Sequence, residues 1–379
     1  MKINLGFDAK RANANKTGLG NYSRYIISAL ANMKRDYALN LYVPKRKNNS
    51  EYDALFNIST DVKEQLPKAK FSKVFSALWR SRFVSKRAKE DGVQIFHGLS
   101  NELPLGLKKE GVKSVVTIHD LIFLRLPSHY RFFDRTIYNF KFKSACLNAD
   151  KIIAISECTK RDIMEFYGID ESKIEIIYQG CDEQFSARFS DAEKHRVRND
   201  YSLPKRFFLN VGTLEERKNL LLCVKALESL PEEIELVAIG RATKYTKRVM
   251  QYAAEKGLTN RIHLIHNCKY ADLPIVYQMA EVFCYPSRYE GFGIPIIEAL
   301  SSGIPTVAAT GSCLEEAGGD AAIYVAPNDD KALAEAIQKF IDDQDLRATM
   351  VARGYEYIKR FTPAKIAEDL DKLYLDLLK

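Results

Sequence analysis

Residues 288–309 read RYEGFGIPIIEALSSGIPTVAA, and this stretch decides the fold. The preceding run Val282–Tyr285 is short, apolar and typical of a buried strand. Pro295 predicts a first helical turn, where its missing N–H costs nothing, and Gly303 ends that helix before another strand. A strand, a glycine-bearing loop, a helix and a strand predict one unit of a parallel α/β sheet. The helix start favours anionic or hydroxyl-rich ligands, because it presents free backbone N–H groups at the carboxyl edge of the sheet.

The same alternation of short apolar runs and helical patterns extends along the whole chain. We predict strands at Ile3–Asp8, Leu39–Val43, Val93–His97, Ser114–His119, Lys151–Ile155, Arg206–Val211, Glu235–Ile239, Ile262–Ile265, Val282–Tyr285 and Pro305–Ala308. The alternation breaks in the charged stretch around residues 180–203, where we place a domain junction. The expected fold class is α/β, with two Rossmann-like, doubly wound parallel-sheet domains facing across a cleft. They span residues 1–185 and 186–359, and a helix over residues 360–379 packs back on the first.

Composition excludes several classes of protein. Of 379 residues, 46% are hydrophobic and 28% charged, which is typical of globular domains and not of disordered or fibrous chains. The seven cysteines stand singly with no CxxC pair, which argues against a zinc site or disulfide scaffold and favours a reducing compartment. No apolar run reaches about 18 residues, and an acid stands near the N-terminus at Asp8. We therefore expect a cytoplasmic protein.

The charge is uneven between the halves. Residues 1–185 hold 31 Lys and Arg against 21 Asp and Glu, and the remainder holds 26 against 28. A basic half suggests an anionic partner, whether a phosphate-bearing ligand, a nucleic acid or an acidic membrane surface. The charges are interspersed with apolar residues and do not run in a tail, so solvated faces are the first explanation of them, and no nucleic-acid partner is expected.

Two carboxylates, Glu290 and Glu298, flank the glycine loop and the first helical turn of the opening stretch. Such carboxylates can accept paired hydrogen bonds from vicinal hydroxyls, whereas an isolated glutamate there would only complement the helix dipole. Their spacing within EGFGIPIIE resembles the E-x7-E motif of the family 4 retaining glycosyltransferases, which have the GT-B fold. The segments HGLS, TIHDL, AISE, NVGTLEERKNL and GDAAIYVAP resemble the mannosyltransferase-B-type branch, which builds bacterial surface polysaccharides.

The resemblance implies roles for this loop. Glu290 would hold the hydroxyls of the donor sugar and Glu298 the ribose diol. The backbone of the next three loop residues would line the sugar pocket; they are Phe292, Gly293 and Ile294. Glu315 matches a glutamate that follows proline in the family, but Leu314 replaces that proline here, which weakens any role for Glu315.

A second candidate site is NVGTLEERKNL, residues 210–220, in which a strand ends at Gly212 and a helix is expected to begin near Lys218. Arg217 and Lys218 oppose the dipole of such a helix, so a role in binding a diphosphate explains them better than a solvated pair does. Fixed cations stabilise the charge of a departing nucleoside diphosphate. In the resembling family they replace a metal ion. We therefore predict a metal-independent reaction, with Gly212 in the same donor-binding loop.

Further candidates lie in the N-terminal half. Gly18 and Gly20 permit a tight turn ahead of a helix, and the resemblance places this loop at the donor phosphates. His119 ends a predicted strand, and the resemblance places it near the donor sugar and acceptor as a catalytic residue. Asp120 would orient it, and His97 has similar placement with a weaker claim. Ser156 looks like a helix cap first and a ligand contact second.

An aromatic stripe in residues 70–89 is surrounded by basic residues, as is a second stretch, residues 129–143. Phe71, Phe75, Trp79 and Phe83 recur at spacings of four, which fits either an anionic membrane surface or packing into the first domain. A peripheral position at the inner face of the membrane is one expectation, since similar enzymes commonly use lipid-linked acceptors.

The resemblance implies a retaining glycosyltransferase (a hexosyltransferase) that moves a sugar from a nucleotide-diphosphate donor to a glycan or lipid-linked acceptor in surface polysaccharide biosynthesis. No cofactor is expected; the donor is a substrate, GDP-mannose as first guess and a UDP-sugar as second. Alternatives are another GT-B enzyme, such as a nucleotide-sugar epimerase or a phosphorylase, and a non-catalytic nucleotide-sugar-binding protein.

Overall fold

The computed structural model describes residues 2–67 and 79–379, which form two compact units. One unit comprises Met1–Gly180 with Phe361–Lys379, and the other comprises Cys181–Arg360. Sequence analysis places the junction at residues 185/186, five residues later. Residues 181–186 belong with the second unit because Phe185 is fully buried there, 5.6 Å from the ring of Tyr277.

The N-terminal unit is a seven-stranded parallel sheet. Its strands are β1 Ile3–Asp8, β2 Tyr37–Tyr42, β3 Val62–Gln65, β4 Ile95–Gly98, β5 Lys113–Ile118, β6 Lys151–Ala154 and β7 Ile174–Ile176, in the order β3-β2-β1-β4-β5-β6-β7. Its helices up to the junction are α1 Lys10–Ala14, α2 Gly18–Ala31, α3 Ser50–Asp53, α4 Val84–Glu90, α5 Ile122–Arg125, α6 Phe132–Asn148 and α7 Glu157–Tyr167. Adjacent strand residues such as Val115 and Val116 enter different core clusters, because side chains alternate across a sheet. Both faces are therefore covered, as a parallel sheet requires.

The C-terminal unit is a six-stranded parallel sheet. Its strands are β8 Phe207–Val211, β9 Glu235–Ile239, β10 Ile262–Ile265, β11 Val282–Tyr285, β12 Thr306–Ala309 and β13 Ala322–Val325, in the order β10-β9-β8-β11-β12-β13. Its helices are α8 Asp191–Asp200, α9 Leu220–Leu227, α10 Lys244–Glu255, α11 Leu273–Met279, α12 Ile294–Ser301, α13 Leu314–Gly318, α14 Asp330–Asp342 and α15 Gln344–Tyr357. The predicted α/β class with two doubly wound parallel sheets is confirmed.

The last helix, α16 Pro363–Leu378, packs in the N-terminal unit. Pro363 occupies its first turn, and Thr362 caps it by accepting a hydrogen bond from the N–H of Lys365. Ile366 and Leu370 are buried in the same core cluster as α2, because apolar residues recur here at helical spacing.

Three strands, β3, β7 and β13, were missed by the sequence prediction, and each lies at a sheet edge. Each has only three or four residues, and none is fully buried along its length. Edge strands bury fewer side chains, so they lack the continuous apolar runs that identify central parallel strands.

Candidate functional site

The candidate site of the C-terminal unit lies where its strand order reverses. Strands β8 and β11 are neighbours in the middle of the sheet, while the chain continues from β8 to β9 on one side and from β11 to β12 on the other. Two loops leave the carboxyl ends of these strands, residues 212–219 and residues 286–293. A crevice at such a reversal is the usual ligand site of a doubly wound sheet.

Three of the predicted site residues meet at this strand reversal. Nη1 of Arg217 lies 2.7 Å from Oε1 of Glu290, and Nζ of Lys218 lies 2.6 Å from the same oxygen. Glu290 is 9% exposed, so the contact is partly removed from water. The structure thus joins the two cations of one loop to the carboxylate of the other.

Hydroxyl groups complete the surroundings of Glu290. Its Oε1 also accepts hydrogen bonds from Tyr285 at 3.1 Å and from Ser287 at 2.6 Å. Burial alone would raise the pKa of Glu290, but Lys218 and Arg217 outweigh it and hold the pKa at about 2. The pKa of Arg217 is raised in turn: burial alone would lower it, and the charge of Glu290 more than compensates. Glu290 is therefore ionised at neutral pH.

The two loops are fixed to each other by hydrogen bonds from both side chains and backbone. Arg217 donates from Nη1 to the carbonyl of Tyr289 at 2.6 Å, and its own carbonyl accepts from the N–H of Arg288 at 2.9 Å. Asn219, at a φ of 60°, donates to the carbonyl of Pro286 at 3.0 Å. Asparagine tolerates this left-handed backbone better than most residues. The site cations are thus held before any ligand arrives.

The local structure around the cations differs from the expectation. Residues Glu216–Lys218 form a 3-10 turn, and α9 begins only at Leu220. Arg217 and Lys218 therefore do not sit in the first turn of an α-helix, and the argument from an unfavourable helix dipole was wrong. Gly212 has a φ of 144°, and a Cβ there would lie 3.7 Å from the Lys218 side chain. The glycine therefore lies beside the lysine stem, and its backbone conformation is one that L-residues rarely adopt.

Glu298 lies in α12 in different surroundings. It is 8% exposed, and its Oε2 accepts a hydrogen bond from the hydroxyl of Tyr277 at 3.0 Å. Burial, together with the charge of Asp182, raises the pKa of Glu298 to about 7. Glu298 is thus poised between its neutral and ionised forms near neutral pH.

The loop between the two glutamates is packed tightly against α13. Phe292 is 2% exposed, and a Cβ on Gly293 would lie 2.8 Å from the Cβ of Ala317, so only glycine fits. Ile294 begins α12, one residue before the predicted start at Pro295. Cys313 donates from Sγ to the carbonyl of Phe292 at 2.6 Å. Sequence analysis missed this cysteine, because a lone buried cysteine carries no motif.

Glu315 supports the neighbouring turn. Its Oε1 accepts from the N–H of Gly311 at 2.9 Å, while its buried Oε2 finds no partner in the described part of the chain. Leu314 itself is fully buried in the first turn of α13. The absence of the family's proline therefore leaves the helix start intact.

In the N-terminal unit, His119 follows β5 at the carboxyl edge of the sheet, as predicted. It is 6% exposed, its Nε2 lies 2.8 Å from the carbonyl oxygen of Leu99, and its ring meets Tyr22 edge-on at 4.5 Å. Burial lowers the pKa of His119 to about 4, so the ring is neutral at pH 7. Asp120 accepts through Oδ1 from the N–H of Ile122 at 3.1 Å. The catalytic role of His119 stays a prediction.

His97 has a structural environment. Its Nδ1 lies 2.7 Å from the hydroxyl of Tyr374 and its Nε2 lies 2.8 Å from Oγ1 of Thr117, so both ring nitrogens are engaged. It is 1% exposed, and burial lowers its pKa to about 3. Ser156 caps α7 by accepting from the N–H of Thr159 at 3.0 Å, which confirms the cap prediction.

The glycine pair lies inside α2 and not in a turn before it. Gly18 is the first residue of that helix, so the predicted turn is already its first turn. A Cβ on Gly20 would lie 1.8 Å from the carbonyl oxygen of Asn15, so close packing against its own loop requires this glycine. Gly18 has open space at the Cβ position.

The aromatic stripe of residues 70–89 lies partly outside the described residues, which exclude Phe71 and Phe75. Within the described part, Trp79 is 6% exposed and packs in a core cluster, whereas Phe83 is 55% exposed. Along residues 2–67 and 79–379, no helix is long and apolar enough to cross a membrane. In the same ranges, no group of three or more His, Cys, Asp or Glu side chains could hold a metal ion.

Known proteins resemble this chain in both sequence and fold. The family model "Glycosyltransferase Family 4" matches residues 16–185, and "Glycosyl transferases group 1" matches residues 191–357. O-antigen chain mannosyltransferase B of Escherichia coli is 30% identical over 274 residues, 71% of this chain and 70% of its own length. O-antigen chain mannosyltransferase RfbU of Salmonella typhimurium is 26% identical over 65% of each chain.

Solved structures show the same fold across the whole chain. A glycosyltransferase from Rickettsia africae has a TM-score of 0.77 at 19% identity, covering 100% of this chain and 99% of its own. Anabaena HepE in complex with UDP and glucose has a TM-score of 0.75 at 20% identity, covering 99% and 100%. The fold is GT-B, as predicted. The chain therefore belongs to the family 4 glycosyltransferases of the glycosyl transferases group 1, and it is similar to their O-antigen mannosyltransferases.

Proposed function

We propose that this glycosyltransferase moves a sugar, with retention of configuration, from a nucleoside-diphosphate donor to a glycan or lipid-linked acceptor in surface polysaccharide biosynthesis. The observation that carries the proposal is the contact of Arg217 and Lys218 with Glu290 at the strand reversal. Mannose from GDP-mannose is the first choice, because the relatives at 30% and 26% identity are O-antigen mannosyltransferases. A UDP-sugar is the second, because HepE is a structural relative in complex with UDP and glucose.

The chemistry follows from the charges. As the bond between sugar and diphosphate breaks, negative charge develops on the diphosphate, and Arg217 and Lys218 stabilise it in a site held in advance. Glu290 keeps its negative charge at neutral pH because its pKa is about 2. An ionised carboxylate accepts hydrogen bonds from the donor sugar's hydroxyls, so Glu290 orients the sugar while the cations turn to the diphosphate.

Retention requires that the acceptor hydroxyl attacks from the face that the diphosphate leaves. The departing diphosphate then accepts the proton of that hydroxyl, and the two fixed cations take the place of a metal ion. The remaining donor contacts proposed from the family are Glu298 on the ribose diol, Gly18, Gly20 and Gly212 near the phosphates, and the backbone of Phe292, Gly293 and Ile294 around the sugar. His119 acts beside the sugar and the acceptor as a neutral ring.

We assign donor binding to the C-terminal unit and acceptor binding to the N-terminal unit. A transfer assay with GDP-mannose and UDP-sugars, followed by NMR of the anomeric proton of the product, tests the reaction. The expected product keeps the donor's anomeric configuration and forms equally well with excess chelator. An inverted product overturns retention, loss of activity with chelator overturns metal independence, and isomerised donor without transfer favours the epimerase alternative.

We also propose peripheral contact with an anionic membrane through α6. Phe133 and Phe140 are 79% and 77% exposed and share one helical stripe with Ile137 and Leu147. Lys141 and Lys143 flank this stripe on its two sides. Apolar residues beside cations match an interface of acidic headgroups and acyl chains.

Vesicle sedimentation tests this contact. The double change Phe133→Ser and Phe140→Ser should lower binding to phosphatidylglycerol vesicles about tenfold or more. A matched control is Tyr270→Ser, an exposed aromatic of the other unit. Equal binding by the double variant and the native chain would contradict the membrane role of α6.

A further inference from the structure

The carboxyl edge of the N-terminal sheet holds a second charged cluster, separate from the Arg217 pair. Asp8 ends β1 and is 4% exposed. Nε of Arg80 lies 3.6 Å from Oδ2 of Asp8, and the same guanidinium pairs with Glu102 beyond β4. Lys141 of α6 lies 3.2 Å from Oε1 of Glu102. Strands β1 and β4 are the neighbours at which this sheet reverses its order, so the cluster occupies the ligand-binding edge of a doubly wound sheet.

Two further cations, Lys10 and Arg11, begin α1 just after Asp8, and the N–H of Lys10 donates to Oδ1 of Asp8 at 3.2 Å. Neither has a carboxylate within ion-pair distance among residues 2–67 and 79–379, although both are only partly exposed. Burial, together with the charges of Arg80 and Arg11, lowers the pKa of Lys10 to about 8. The pKa of Lys141 is lowered by the same causes. Four cations therefore share two carboxylates.

The surplus charge is not needed for structure. Arg80 alone pairs with both Asp8 and Glu102, so the acids are satisfied without Lys10 or Arg11. Holding a partly buried ammonium group beside like charges costs stability. A ligand with several anionic oxygens would relieve that repulsion and accept hydrogen bonds from the guanidinium and ammonium groups.

We propose that Lys10, Arg11, Arg80 and Lys141 bind a phosphate-bearing group of the acceptor substrate. The acceptor assignment rests on the proposed function; the preference for a phosphate rests on this cluster. The phosphate comes either from a lipid-linked diphosphate or from a phosphorylated glycan.

Calorimetry on the full chain, with GDP and UDP in excess to fill the donor site, tests the proposal. The probes are inorganic pyrophosphate, farnesyl diphosphate for the lipid source and mannose 6-phosphate for the glycan source. We expect Lys10→Met and Arg11→Met each to weaken binding of pyrophosphate about tenfold or more, since each removes a charged hydrogen-bond donor. The matched control Lys16→Met changes an exposed lysine just before α2 and should leave the affinity within about twofold. The melting temperature of Lys10→Met should not fall, because like-charge repulsion is removed.

The outcomes separate this site from the donor site. No binding of pyrophosphate, unchanged affinity in both variants, or equally strong binding of glucuronate would overturn the phosphate site. Tighter binding of farnesyl diphosphate identifies the lipid source, and tighter binding of mannose 6-phosphate the glycan source. If pyrophosphate binds through Lys10 while no nucleotide binds in the absence of other ligands, the donor assignment fails and the anion site stands.

Discussion

Glu290 and Glu298 stand in one motif with similar burial, 9% and 8% exposed, yet their chemistry differs. Glu290 meets two cations from the loop after β8, which hold its pKa at about 2. Burial raises the pKa of Glu298 to about 7; the charge of Asp182 adds to that rise, and the hydrogen bond from the hydroxyl of Tyr277 opposes it. The difference teaches that the spacing places both carboxylates, while residues from distant parts of the chain decide their charge.

The largest effect should come from removing the ionised member of the pair. Glu290→Ala should lower transfer about a thousandfold, because the donor sugar loses its charged anchor, while binding of nucleoside diphosphate persists on the freed Arg217 and Lys218. Steady-state kinetics and calorimetry on the same protein measure the two quantities. Loss of nucleotide binding together with transfer would mean that Glu290 only holds the loop.

Removing either of the two cations should have the next largest effect on transfer. Arg217→Ala and Lys218→Ala should each lower transfer about a hundredfold, because each removes one charge that stabilises the leaving group. Arg248→Ala, an exposed arginine of α10 with 66% of its side chain accessible, is the matched control and should stay within about threefold. Native turnover in either site variant would remove that cation from the reaction.

Sequence reasoning found the charged residues of this site but not their supports. Arg217 and Lys218 were predicted from their place after a strand end and from a helix-dipole argument that proved wrong, and Glu290 was predicted from its resemblance to the E-x7-E motif. Tyr285, Ser287, Asn219 and Tyr277 were missed, since these residue types are common in strands, loops and helices. The pairing of β8 with β11 brings Asn219 to the loop that holds Ser287, and strand order is not written in any local stretch of sequence.

The fold was likewise predicted only in part: its central strands were found, and its edge strands and one helix start were not. Central strands such as Phe207–Val211 are buried at every position and show as apolar runs, whereas the edge strand Val62–Gln65 reads VKEQ and does not. The start of α9 was misplaced because the 3-10 turn at Glu216–Lys218 and the left-handed Asn219 carry the same polar composition as a helix start.

Substituting Glu298 should have a smaller effect, and that effect should fall on nucleotide affinity. Glu298→Gln keeps an acceptor for Tyr277 but removes the ionisable group, so nucleoside diphosphate affinity at pH 8 should fall about tenfold if the ribose diol binds an ionised carboxylate. Turnover at saturating donor should fall less than in Glu290→Ala. If the native chain and Glu298→Gln bound nucleoside diphosphate with equal affinity across pH 6–8, Glu298 would not bind the ribose.

The smallest expected effect is a stability difference of opposite sign for the two glutamates. The pKa of Glu298, about 7, lies above its ordinary 4.5, so the folded chain keeps a proton that the unfolded chain releases, and stability falls as pH rises from 4.5 to 7. The pKa of Glu290, about 2, lies below 4.5, so its contribution is present above pH 4.5 and is lost toward pH 2.

Thermal unfolding of the variants measures this difference. Glu298→Gln should raise the melting temperature relative to the native chain by about 5 °C at pH 8 and by much less at pH 5. Glu290→Gln should lower it by a similar amount at pH 7, because Arg217 and Lys218 lose their partner. If the melting temperatures of the two variants changed with pH in the same way, the assigned difference in charge between Glu290 and Glu298 would be wrong.

The most direct test of the account is a calorimetric titration of GDP, UDP, ADP and their sugar conjugates into the native chain and into the double variant Arg217→Ala, Lys218→Ala. We predict that the native chain prefers GDP and GDP-mannose and that the double variant binds them at least a hundredfold more weakly. A preference for UDP would keep the site and discard mannose. Binding of no nucleotide, or equal binding by both proteins, would contradict the claim that these cations hold the donor diphosphate.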